Sequence, residues 1–82
     1  MHELVDVDGR VAAYVRDLVG RAVAPDEPII SSQLLESIAA VQLVDFVEGE
    51  LGVTVEDEDL VLENFDSVRA IVALARRRAA AA

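Results

Sequence analysis

Residues 34–51 read Leu34-Leu35-Glu36-Ser37-Ile38-Ala39-Ala40-Val41-Gln42-Leu43-Val44-Asp45-Phe46-Val47-Glu48-Gly49-Glu50-Leu51. Within this run Ala40, Leu43, Val44, Val47 and Leu51 recur at i, i+3, i+4, i+7 and i+11, the repeat of one helical face. Gln42, Asp45, Glu48 and Gly49 fall off that face. Ser37 stands at the N-terminal edge, where serine is a favoured cap, and Gly52 follows as a helix stop. The pattern predicts a helix opening at Ser37, with the serine hydroxyl outside the packed stripe and exposed. Free backbone N–H groups and the helix dipole at that end favour an anion on the hydroxyl. A capping serine is ordinarily only a cap, so position alone assigns it no chemistry.

Working toward the C-terminus, Val53-Thr54-Val55 alternates but is too short to build a sheet. Glu56-Asp57-Glu58-Asp59 then precedes Leu60, Val61 and Leu62, a pattern read as a short helix with acids at its N-terminus. Asp66 or Ser67 caps a last helix, with Val68, Ile71, Val72, Leu74 and Ala75 inside and Arg76, Arg77 and Arg78 at its C-terminal end. Toward the N-terminus, Leu4, Val5, Val11, Ala12, Val15, Leu18, Val19 and Ala22 recur at helical spacing, predicting a helix from about 3 to 22 that Gly9 interrupts. Pro25 and Pro28 end it and open a long loop through residues 29–35, apolar enough to lie on the core. Three long helices, one short helix and a long first loop predict an all-α four-helix bundle. One domain is expected over 1–82, ordered from about 3 to 77, with residues 79–82 as an alanine tail.

The chain has 82 residues, 54% hydrophobic but only 4% aromatic, so an aliphatic core is expected. A chain this short buries only about 60–65% of its unfolded surface, which leaves little room for an enclosed active site. Cysteine is absent, which excludes disulfides and thiolate chemistry. The one histidine, His2, lies near the terminus, and no Ser–His–acid set can be assembled around it. The run Asp6-Val7-Asp8-Gly9 lacks the spacing of a calcium loop, and Asp57-Glu58-Asp59 lacks its glycine. No catalytic or metal residue is therefore expected. Apolar runs are too short to cross a membrane, and the cytoplasm is the expected compartment. Net charge is −9, with no basic residue between Arg21 and Arg69. That segment repels nucleic acid and anionic membranes and attracts basic partner surfaces. Acidity for solubility alone is the plainer reading of the same charge.

The run from Leu34 to Val44, with an acid, a serine and an aliphatic residue opening a second helix, resembles the attachment site of acyl and peptidyl carrier proteins. The later run Asp57 to Leu60, continuing through Leu62-Glu63-Asn64-Phe65-Asp66-Ser67-Val68-Arg69-Ala70-Ile71, is similar to the third helix and start of the fourth in that family. The resemblance covers residues 3–77. Leu34-Leu35-Glu36-Ser37 with Glu63-Asn64-Phe65 is most similar to free-standing carriers of natural-product pathways, which hold glyceryl, methoxymalonyl or aminoacyl units. The resemblance implies a non-enzymatic, monomeric carrier of the polyketide or nonribosomal type. It implies a 4′-phosphopantetheine arm, derived from coenzyme A, on Ser37, holding acyl cargo as a thioester. Implied partners are a phosphopantetheinyl transferase, a loading enzyme and downstream synthase or tailoring enzymes with basic patches. Glu36, Asp45 and Glu48 would form a polar recognition rim, and Ile38 and Val41 its apolar part. Glu36 and Ile38 stand where Asp and Leu are usual. Ser67 also follows an acid and precedes a helix, but only fifteen residues follow it, so it is read as a plain cap. Ser31 and Ser32 are read as loop serines. The alternatives are an unmodified acidic adaptor of the same fold and, within the family, an aminoacyl or D-alanyl carrier.

Overall fold

The computed structural model describes residues 6–81. Three helices span Val7–Val19 (α1), Ala39–Gly49 (α2) and Val68–Ala81 (α3). Two three-residue 3-10 turns, Asp57–Asp59 and Leu62–Asn64, lie between α2 and α3. No β-strand occurs among the described residues. The expected start of the first helix, with Leu4 and Val5, lies outside them, as does His2.

The core is aliphatic, as the composition requires. Val7, Val11 and Val15 of α1 pack with Ile71, Val72, Leu74 and Ala75 of α3 and with Leu43, Phe46 and Val47 of α2. Tyr14 stacks its ring on Phe46, with centroids 4.2 Å apart and planes 18° from parallel. α1 runs straight through Gly9 and stops at Gly20, its last residue Val19 lying three short of the end the apolar repeat allowed. The stop is conformational. Gly20 has φ 94°, a left-handed geometry that glycine adopts without a Cβ penalty, and its N–H closes on the Arg16 carbonyl at 2.7 Å.

Three expectations are corrected. The buried face of α2 is set by Ala39, Leu43, Phe46 and Val47, whereas Ala40 and Val44 are only half-buried. The helix is thus turned about its axis from the expected stripe. The segment expected as a short helix contains two separate 3-10 turns. Between them Leu60 forms an inverse γ-turn (φ −81°, ψ 64°), with Val61 N–H donating to the Asp59 carbonyl at 2.8 Å. The expected alanine tail continues α3 to Ala81, because alanine is the strongest helix former and Ala79 is buried.

The long loop is fastened as well as packed. Ile29 and Leu35 are buried, each contributing roughly 1.5–3 kcal/mol. The start of α3 supplies the polar anchor. Asp66 carboxylate accepts the N–H groups of Ile30 at 2.7 Å and Ser31 at 2.8 Å and the Ser31 hydroxyl at 2.6 Å. Its backbone carbonyl accepts Ile29 N–H at 2.8 Å, and the Pro25 carbonyl accepts Arg69 N–H at 2.9 Å. Ser32 donates to the Pro28 carbonyl. Ser31 and Ser32 are loop serines, as expected.

Candidate functional site

Ser37 lies two residues before α2, in a turn, and is exposed. Its hydroxyl makes no hydrogen bond among the described residues, so it does not act as the expected cap. The first turn of α2 tightens instead. The N–H groups of Ala39, Ala40 and Val41 bond the carbonyls of Glu36, Ser37 and Ile38 at 2.9, 3.0 and 3.1 Å. Those N–H groups are therefore engaged and not free for an anion. What remains at Ser37 is the positive end of the helix dipole and an unencumbered oxygen. A bulky group esterified there displaces no hydrogen bond.

Ser37, Val41, Val44 and Asp45 fall at i, i+4, i+7 and i+8, one face of the helix. Opposite them stand Leu60, Val61 and Leu62. Together with Ala40, Ile30 and Phe65 they enclose an apolar groove of about 530 Å³ that opens beside Ser37. Asp45 is its one charged lining residue. Leu60, Val61 and Leu62 are 54%, 46% and 49% exposed and Ile38 is 67% exposed, the largest uncovered apolar side chains among the described residues. Five such side chains, with Val41, cluster about one serine.

The other residues singled out from the sequence are distributed around this groove unequally. Glu36 lines a second cleft on the loop side of Ser37, with Ser31 and Gln33. Gln33 holds a left-handed backbone, φ 68°. Ile38 is exposed but outside the groove. Glu48 does not line it either: its carboxylate accepts Val55 N–H at 3.0 Å, tying α2 to the segment that follows. Sequence reading missed Leu60, Val61, Leu62 and Phe65 as site residues because it took the first three only as part of a short helix. The available signal was three consecutive apolar residues after an acidic run, more than one face of a single helical turn can bury.

The wall opposite α2 is held from α3. Arg78 donates through Nε to Asp59 Oδ2 at 2.6 Å and through Nη2 to Oδ1 at 2.8 Å. Asp59 also accepts Glu56 N–H at 2.9 Å, and its carbonyl accepts Asn64 Nδ2 at 2.8 Å. Arg77 donates to Asn64 Oδ1 at 3.3 Å. The Arg78 guanidinium holds the Asp59 carboxyl below the usual aspartate range, against burial, which pushes it up. Ser67 accepts Ala70 N–H on its hydroxyl at 3.1 Å and so caps α3, as expected.

No curated protein matches the chain. The family model of the phosphopantetheine attachment site matches residues 9–75, a span that takes in all of α2 and the first half of α3 together with the groove between α2 and the 3-10 turns. The chain therefore belongs to the phosphopantetheine-binding carrier proteins, whose prosthetic group is a covalently attached 4′-phosphopantetheine.

Proposed function

We propose that Ser37 is the attachment serine and that the chain is a free-standing carrier serving a dedicated natural-product pathway. The observation that carries this reading is a free, exposed hydroxyl on the lip of an apolar groove, at the opening of α2. Ser67, the competing serine, already spends its oxygen on a helix cap.

In the modification step the Ser37 oxygen attacks the pantetheine-bearing phosphorus of coenzyme A. The pyrophosphate P–O bond breaks, and 3′,5′-adenosine bisphosphate leaves with the electron pair. The hydroxyl proton passes to a base of the transferase. Bound there, the group supplies the thiol that this cysteine-free chain lacks and holds an acyl, glyceryl or aminoacyl cargo as a thioester. The chain itself contributes the tether and a recognition surface, which raises the effective concentration of cargo at each partner. Catalysis belongs to the partners.

Docking uses the groove. Its apolar wall, with Ile38 and Val41, meets the apolar part of the transferase and of loading and synthase enzymes. Asp45 and Glu36 flank Ser37 as the acidic rim, complementary to basic patches. Contacts of this size are small and reversible, as successive partners require. The testing measurement is intact mass after co-expression with a broad-specificity phosphopantetheinyl transferase. The expected result is one phosphopantetheine per chain, lost in Ser37→Ala and retained in Ser67→Ala. An unmodified wild type would instead support an adaptor that keeps the fold and binds through its acidic, apolar face.

A further inference from the structure

We propose that the Asp59–Arg78 pair is a positioning device for the docking surface: it fixes the Leu60–Leu62 wall of the groove and thereby governs how tightly the transferase engages the chain at Ser37. This rests on the reading that Ser37 is modified and that the groove is where the transferase docks.

Leu60, Val61 and Leu62 are each about half exposed, so burial alone holds them weakly. Their backbone is a 3-10 turn, a γ-turn and a second 3-10 turn. Such turns are short and poorly bonded, unlike a helix that props up its own side chains. The segment is instead tied at both ends. Asp59 is gripped by Arg78, Asn64 is reached by Arg77, and Asn64 closes back on the Asp59 carbonyl. The residues between the ties are the exposed wall.

Asp59 is the one buried charged side chain among the described residues, 6% exposed. The ion pairs of Arg16, Arg69 and Arg76 lie with both partners exposed and hold little together. A desolvated, two-point guanidinium–carboxylate pair fixes geometry more surely than it adds stability. α3 does not need the pair for its own formation. Its last turns are alanine-rich and anchored by Ala75 and Ala79. The element that needs it is the wall.

The test is steady-state kinetics of coenzyme A-dependent modification of the full chain by a broad-specificity transferase. It is run at a temperature where circular dichroism shows each variant folded. Arg78→Ala is expected to raise KM for the carrier about fivefold, as losing roughly 1 kcal/mol of docking does, with kcat within about twofold. Arg78→Lys, which keeps the charge but not the fork, falls between Ala and wild type. Arg76→Ala, which removes only an exposed pair with Asp8, leaves KM unchanged. Leu62→Ser raises KM through the wall itself, and combining it with Arg78→Ala raises KM no further than the larger single effect. If Arg78→Ala does not fold, Asp59→Asn and Arg78→Lys carry the same comparison. A KM unmoved by loss of the pair, while Leu62→Ser raises it, overturns the positioning role alone, as does full additivity of the two substitutions. A KM indifferent to Leu62→Ser overturns the groove as docking surface, and with it this inference. An unmodified wild type overturns the assignment of Ser37.

Discussion

Ser37 and Ser67 share an acid before them and an aliphatic residue after them, yet their oxygens have different work. Ser67 accepts Ala70 N–H, so Ser67→Ala should cost about 0.5–2 kcal/mol. Ser37 accepts nothing, and the first turn of α2 satisfies its own N–H groups. Ser37→Ala should therefore shift stability by no more than about 0.5 kcal/mol while abolishing modification. Urea unfolding of the two variants checks the first half and intact mass the second. Equal destabilisation of both would show that Ser37 caps α2 in solution. A third residue carries more than either serine. Asp66 accepts three hydrogen bonds from Ile30 and Ser31. Asp66→Ala leaves the half-buried Ile30 N–H without a partner, a loss of about 1–3 kcal/mol. Because Ile30 lines the groove, the same variant should slow modification, and a variant that is destabilised but modifies normally would separate loop from groove.

At the scale of elements, what was legible followed periodicity. α2 and α3 stood out because each carries an unbroken apolar repeat, and every buried position expected in α3 from Val68 to Ala75 is buried. The long loop was legible from Pro25 and Pro28 and from Ile29 and Leu35, which the core indeed takes up. The 57–64 segment was not, because its acids suit a helix N-terminus and its three apolar residues are too few to reveal their period. Tertiary ties from Arg77 and Arg78, distant in sequence, join its local hydrogen bonds to hold it in turns. Charge on α2 was only half legible for the same reason. Asp45 and Glu48 look alike in sequence, but Glu48 accepts Val55 N–H and Asp45 lines the groove. Reversing them should therefore have different effects. Glu48→Lys is expected to lower the melting temperature through a lost hydrogen bond of about 0.5–1.5 kcal/mol, or more with its charge. Asp45→Lys should leave melting within about a degree or two and slow loading by a basic partner. Thermal melts beside loading rates for the two single variants distinguish this from a uniform acidic rim, in which both would slow loading and neither would melt early.

Across the whole molecule the acids of the middle segment meet their counter-charges on the helix that follows it. Arg69 reaches Asp26 in the loop, and Arg78 reaches Asp59 and Glu58 at the groove wall. Arg76 of the same helix reaches Asp8 on α1. The net −9 charge nonetheless leaves an excess of carboxylates, a self-repulsion that salt screens. Three carboxyls are held low in the fold: Glu27, in a largely solvated pair with Arg21 that contributes little, and two aspartates that carry most of the pH dependence of stability. Arg78 holds Asp59 below the ordinary value of 3.8, outweighing burial. For Asp66 burial pushes the carboxyl up, but the Ser31 hydroxyl and the N–H groups of Ser31 and Ile30 outweigh it and hold it low. Both groups therefore bind protons more readily in the unfolded chain than in the folded one. Their contribution is fully present above the unfolded value, about pH 4, and is lost as pH falls through the lower folded values. Urea unfolding at fixed ionic strength from pH 5 to pH 2 should show that decline, and Asp59→Asn and Asp66→Asn should each flatten it, since an amide has no proton to gain. The wall and the loop are the two elements these aspartates hold, so the acid limb should also coincide with loss of modification by a transferase that stays active there. An acid slope unchanged in the double variant would place the titrating groups elsewhere and leave the two clasps as neutral packing.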